Sequence, residues 1–164
     1  LGLVSGYIVQ KYEGLLLQFT ILAAFMPMIA DTGGNTGSQS ATVVIRALAL
    51  QECTPRDMLR ILEKELRIGL MLGLMLGCLA YGRVFLFGGS SLSSDFPLRA
   101  IALAISVALG LQVVTATLIG AFLPLVAARL KLDPAVVASP ALTTIVDITG
   151  LMIFFSVTKY FLGM

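Results

Sequence analysis

An all-α, polytopic membrane helix bundle is the fold this sequence predicts, and three observations predict it. Hydrophobic residues make up 58% of the 164 and charged residues only 12%, whereas soluble domains carry roughly a quarter charged residues. Mean hydropathy is +0.99. Long apolar runs alternate with short polar connections, and at about 20 residues per pass the length holds roughly four to six passes and no separate soluble domain. The net charge of +2 is small and dispersed, which excludes a nucleic-acid surface as partner. No internal repeat or low-complexity tract is evident.

Five transmembrane helices are expected, with the lipid bilayer as their solvent. Residues 1–10, LGLVSGYIVQ, are too short to span and read as the surviving half of a first helix; no cleavage-site pattern follows to make them a signal peptide. Gln10 to Gly14 form a polar connection. Helix two starts at Leu15 and, carried straight to Leu50, would run about 50 Å at roughly 1.5 Å per residue, more than a bilayer of about 30 Å takes without tilt or interruption. Gly33, Gly34 and Gly37 offer a break or kink, and Pro27 a second bend point.

From Gln51 to Arg67 the composition changes, with Thr54 capping Pro55 at a first helical position. Met58, Leu59, Ile61, Leu62 and Leu66 are expected on one side of an amphipathic, interfacial helix that leads into helix three, residues 68–87. There Gly69, Gly73 and Gly77 recur every four residues, a spacing that permits close helix contact. GGSSLSSDFP at 88–97 is the next connection. Helix four covers 98–128, with Ala104, Ala108, Gln112, Ala116 and Gly120 on one stripe; Gln112 is costly in lipid and should face protein. Asp133 then Pro134 read as N-cap and first residue of helix five, which Pro140 bends near its start and Lys159 ends.

Basic residues set the orientation. Arg46, Arg56, Arg60, Lys64, Arg67, Arg129 and Lys131 fall on one side, against Lys11, Arg83, Arg99 and Lys159 on the other. The richer side is placed in the cytoplasm, so the carboxyl terminus is expected outside, together with Tyr7, Tyr12, Tyr81 and Tyr160. Cys53 and Cys78 show neither a redox nor a metal-binding spacing and read as structural thiols.

Polarity inside apolar sequence is where chemistry is to be sought. PMIADTGGNTGSQSATVVIR at 27–46 puts Asp31, Thr32, Asn35, Thr36, Ser38, Gln39, Ser40 and Thr42 between membrane-grade runs, and such polarity persists at membrane depth only when packed in protein or lining water. In helix five, Asp147 lies near the bilayer midplane, with Thr143 and Thr144 one turn before it and Gly150 one turn after. A charge there costs several kcal/mol, offset by a bound ion, a proton or a basic partner; a protonated acid joining helices is the plain structural alternative. Asp31 has two open roles: facing the same cavity, or bonding backbone freed by the glycine break.

The pathway donors are all oxygens and the chain has no histidine, which favours magnesium or calcium over softer metals. Because magnesium gives up its waters reluctantly, one carboxylate per subunit suffices for a hydrated ion. Two copies on a two-fold axis would pair Asp147 with its equivalent against a divalent charge. Other motif readings fail on chemistry. GGNTGSQS lacks the lysine of a phosphate loop, the triplet at Asp31, Thr32 and Gly33 lies in helical sequence rather than the strand loop of an aspartic protease, and a serine hydrolase would lack its histidine base. No enzyme is therefore expected.

The blocks PMIADTGGNTGSQSATVVIRALAL at 27–50 and LDPAVVASPALTTIVDITGL at 132–151 resemble the transmembrane domain of the MgtE family of magnesium transporters. The similarity covers almost all of residues 1–164. It implies a homodimer with five transmembrane helices per subunit and a pore between subunits, a magnesium-selective, channel-like conduit of the plasma membrane. It further implies that Asp147 binds hydrated Mg2+, that Gly34, Asn35 and Gly37 line the pore on helix two, and that Gly150 forms the narrow wall beside the aspartate.

Two departures stand out: Ser139-Pro140 where family members often have Asn-Pro, and Asp31 where some relatives have a small, uncharged residue, which would add a second acidic ring to the metal-binding set. The cytoplasmic regulatory domains of full-length members are absent from residues 1–164. The competing function is a proton- or sodium-coupled divalent-cation carrier that uses Asp31 and Asp147.

Overall fold

The computed structural model describes residues 2–18, 20–87 and 98–163, and among them the only regular secondary structure is helical. The helices are α1 (Gly2–Lys11), α2 (Glu13–Gln18), α3 (Thr20–Ala49), α4 (Met58–Phe87), α5 (Leu98–Arg129) and α6 (Pro134–Leu162), with a 3-10 turn at Pro55–Asp57 leading into α4. Three helical stretches, Pro55–Phe87, Leu98–Arg129 and Ala141–Leu162, are long and apolar enough to cross a membrane. At 30 residues α3 is about 45 Å long, but its polar second half keeps it outside that group. The connection at 88–97 lies outside the described residues.

α5 is the central element, packed against α3, α4 and α6. Its stripe of Ala104, Ala108, Gln112, Ala116 and Gly120 is buried, as the spacing predicts. The glycine stripe of α4 meets another side of α5: a Cβ added at Gly73 would lie 2.7 Å from the Gly110 carbonyl oxygen, and one at Gly77 3.1 Å from that of Ser106. Backbone therefore approaches backbone, and Ser106 Oγ donates to the Gly77 carbonyl at 2.7 Å. Close approach of this kind supplies the dispersion contacts and interhelical bonds that hold helices together in lipid, where hydrophobic burial contributes little.

One apolar cluster gathers Leu22, Phe25, Ile105, Leu109, Phe154 and Phe155, and α1 and the α1–α2 turn join it through Ile8, Val9 and Tyr12. The Tyr12 ring stacks on Phe155 at 4.5 Å. A second cluster joins Val44 and Leu125 to Met58, Ile61 and Leu62. The outward side chains of α4, among them Met71, Leu74 and Leu86, are exposed, as a lipid-facing surface requires.

Several boundaries differ from the sequence reading. The connection at 10–14 shrinks to Tyr12, with helix on both sides. No break forms at Gly33, Gly34 or Gly37, because α3 runs unbroken from Thr20 to Ala49. The amphipathic stretch and helix three are one helix, α4. Its buried side holds Met58, Ile61 and Leu62 but not Leu59, which is 80% exposed, or Leu66 at 37%. α6 starts as anticipated, with the Asp133 carboxylate accepting from Ala135 N at 2.9 Å, and its backbone stays helical through Pro140. The side chains of Ser139 and Pro140 lie outside the described residues. Cys53 and Cys78 are free thiols. Burial, then the Asp57 and Glu52 carboxylates, raise the Cys53 thiol above its ordinary pKa.

Candidate functional site

Along α3, polar side chains find partners on their own helix. Thr36 Oγ1 donates to the Thr32 carbonyl at 2.8 Å, and Thr42 Oγ1 to that of Ser38 at 2.8 Å. Each mid-helix glycine costs about 1 kcal/mol relative to alanine, and tertiary contact offsets that where the glycine faces a neighbour. At Gly37 it does: an added Cβ would lie 3.1 Å from the Ala116 carbonyl oxygen, and a Cβ on Gly120 would come within 2.2 Å of the Gly37 carbonyl oxygen.

The helix therefore has two faces. Gly33, Gly37, Ser40, Ala41 and Val44 point into the subunit and are buried. Asp31, Asn35, Ser38, Gln39 and Thr42 are exposed. They recur at helical spacing, so the chain's most polar stretch lies on an open surface rather than in the subunit core. Asn35 Nδ2 donates to Asp31 Oδ2 at 3.1 Å. Beside this stripe, Asn35, Ser38, Gln39, Thr42 and Val43 line an open depression of about 510 Å³. Gly34 is half-buried, and a Cβ there would meet nothing within 4 Å.

α6 reaches the same region through Val146, whose methyl groups would lie 3.1 Å from a Cβ on Gly33 and 3.5 Å from one on Gly37. Asp147 follows directly and is half-buried, one turn after the exposed Thr143. Thr149 Oγ1 donates to the Ile145 carbonyl at 2.8 Å. The ion pair found among the described residues joins Arg67 to Glu63, so no cation neutralises Asp147 or Asp31 there. Nor do three acidic or thiol groups gather anywhere among the described residues.

Gly150 sits on the opposite side of α6 from open space. It is buried against Gln112 of α5, and a Cβ added to it would lie 2.5 Å from Gln112 Nε2. A Cβ on Gly33 would lie 2.3 Å from the same atom. Gln112 is 0% exposed, donates from Nε2 to the Val146 carbonyl at 3.0 Å, and leaves Oε1 buried with no partner. Of the residues singled out in the sequence, Asp31, Gly34 and Asn35 thus share the outer part of α3, Asp147 is at the edge of the α3–α6 contact, and Gly37 and Gly150 are packed against α5.

Sequence reasoning missed Glu65. It is 5% exposed, accepts from Ser40 Oγ at 2.7 Å, and with Thr36, Gln39, Lys64 and Thr117 borders a cavity of about 190 Å³ between α3, α4 and α5. The signal was available, since Glu65 falls on the same helical face as Met58, Ile61 and Leu62.

Comparison with known proteins gives these features a context. The family model for MgtE, described as a divalent cation transporter, matches residues 26–157. "Magnesium transporter MgtE" of Thermus thermophilus is 42% identical over 161 residues, covering 98% of this chain. The proteins of the same name from Bacillus subtilis and Enterococcus faecalis are 32% and 30% identical, each over 99% of the chain. In all three cases the match takes in 34% of the relative, so the chain spans about a third of the length of these proteins.

Proposed function

Because the chain belongs to the MgtE family of divalent cation transporters, and is by its spanning helices a multi-pass membrane protein, we propose that it carries magnesium across the plasma membrane as a channel-like homodimer. Residues 1–164 act as the membrane domain, with α3 as a further span and the carboxyl terminus outside. The observation that carries this reading is the exposed polar stripe of α3, together with the half-buried Asp147 of α6, which directly follows the Val146 that packs on Gly33 and Gly37 of α3 and has no ion-pair partner among the described residues. A polar stripe of this kind is stable at membrane depth only against protein or water, and a second copy of the same face supplies both.

Paired Asp147 carboxylates then hold one divalent ion through its water shell. Mg2+ demands near-octahedral geometry and dehydrates reluctantly, so carboxylates that accept hydrogen bonds from bound water fit it better than a dry cage of protein ligands. Asn35 contributes a neutral oxygen along the wall, and Gly34, which has no side chain, keeps the passage wide enough for a hydrated ion. Gly37 and Gly150 serve this path by letting α5 approach α3 and α6.

Asp147→Asn keeps size and hydrogen bonding but removes the charge, and it abolishes magnesium uptake into proteoliposomes while leaving the amount of inserted protein unchanged. Wild-type uptake by that variant would refute the assignment. The exposure of Asp31 on the same stripe favours one second reading, a carrier coupled to protons or sodium through Asp31 and Asp147. Magnesium flux that requires a second ion gradient, and loses that requirement in Asp31→Asn, would select it.

A further inference from the structure

The buried amide of Gln112 has no part in the function proposed above, yet it touches the peptide unit that carries the proposed ion ligand. Its Nε2 donates to the Val146 carbonyl at 3.0 Å, and that carbonyl belongs to the peptide bond that joins Val146 to Asp147. The same nitrogen would lie 2.3 Å from a Cβ on Gly33 of α3 and 2.5 Å from one on Gly150 of α6, so neither position admits a side chain beside it. The side chain is fully enclosed.

As packing alone, the amide is a poor choice. An apolar side chain of similar volume would fill the space, whereas the amide leaves Oε1 buried and unpaired, a state that costs stability. What the amide provides in return is one directed bond, to Val146. We infer that Gln112 is a positioning residue for the ion site: its amide, clasped between Gly33 and Gly150, fixes the height and rotation of the α6 turn that presents Asp147. Packing alone tolerates small slides of one smooth helix on another, and Val146 lies against two glycines that offer little side-chain relief. The tether from α5 stops that slide. A hydrated ion held by two carboxylates is sensitive to it, because both must reach the same water shell.

This inference rests on the assignment of Asp147 made above, and its test separates the two. Magnesium uptake by the full-length protein in proteoliposomes is measured as a function of magnesium concentration for wild type, Asp147→Asn and Gln112→Met, each normalised to inserted protein. Methionine matches the length of glutamine, donates no hydrogen bond and leaves no orphan oxygen. Gln112→Met is expected to insert and melt as well as wild type, to raise the half-saturating magnesium concentration roughly three- to tenfold, as loss of one hydrogen bond allows, and to reduce discrimination against the larger calcium ion. A lower yield or melting temperature with wild-type half-saturation in the surviving protein shows a purely structural role and overturns the inference. If Asp147→Asn retains wild-type uptake, the ion-site assignment itself falls.

Should Gln112→Met fail to insert, the pair Gly150→Ala and Gly150→Ala/Gln112→Ala decides. Removing the amide relieves the collision, so the double variant recovers insertion. It keeps a raised half-saturating concentration if Gln112 positions Asp147, and returns to the wild-type value if it does not.

Discussion

Gly120→Ala puts one methyl group where α5 crosses α3. The added Cβ would lie 2.2 Å from the Gly37 carbonyl oxygen and 3.0 Å from the Gly37 Cα. Carbon and carbonyl oxygen approach no closer than about 3.3 Å even in favourable contacts, so the two helices must separate by roughly 1 Å. The obstacle is backbone on a continuous helix, which cannot rotate away as a side chain would. Overpacking of a well-filled interior costs about 1–3 kcal/mol, and replacing a mid-helix glycine returns up to about 1 kcal/mol of helix propensity. With the clash against rigid backbone at the upper end of that range, a net loss of about 2 kcal/mol remains. Thermal unfolding of the purified protein in detergent measures it, with Gly82→Ala as the control, since nothing lies within 4 Å of a Cβ at Gly82. The control melts at or above wild type. Gly120→Ala melting as high as the control would refute the α3–α5 geometry.

Gly34→Ala separates fold from passage: a Cβ there meets nothing within the subunit, so the variant gains about 0.5–1 kcal/mol of stability but loses magnesium flux if Gly34 faces the pore, as rapid-uptake and melting measurements on one preparation will show. The Cys53 thiol has a raised pKa through burial and the Asp57 and Glu52 carboxylates, so at neutral pH it is held in the protonated form, which is not the nucleophile. Maleimide therefore labels Cys53 more slowly than an unperturbed thiol at neutral pH, and the labelling rate keeps rising with pH beyond the point at which a free cysteine levels off; equal rates would contradict the structure around 51–57.

Much of this arrangement is legible in the residues themselves. Polar and apolar runs place α5 to within a residue of its observed end, and Asp133-Pro134 marks the start of α6 because the capping chemistry is local. Gln112 reads as inward-facing because an amide in lipid is costly, and the Gly69, Gly73, Gly77 stripe reads as a contact because only small side chains let helix backbones touch. What stays hidden depends on partners distant in sequence. Glycines suggest a break in α3, yet Gly33 and Gly37 are contact points whose partners, Gln112, Val146 and Ala116, lie on other helices. Their neighbour Gly34 has the same local sequence character and the opposite environment. Glu65 escapes notice for a different reason: a carboxylate among Arg60, Lys64 and Arg67 looks solvated, although its helical register with Met58, Ile61 and Leu62 points it inward, where it meets Ser40, 25 residues earlier.

The central claim, that Asp147 holds magnesium between two copies of this chain, is tested most directly by an experimental structure of the protein in lipid at saturating magnesium. The account predicts a density peak on the dimer axis, surrounded by ordered water, with one Asp147 carboxylate from each subunit within hydrogen-bonding distance of that water. Two Asp147 side chains turned away from each other toward lipid, or an ion held elsewhere with none between them, would contradict it.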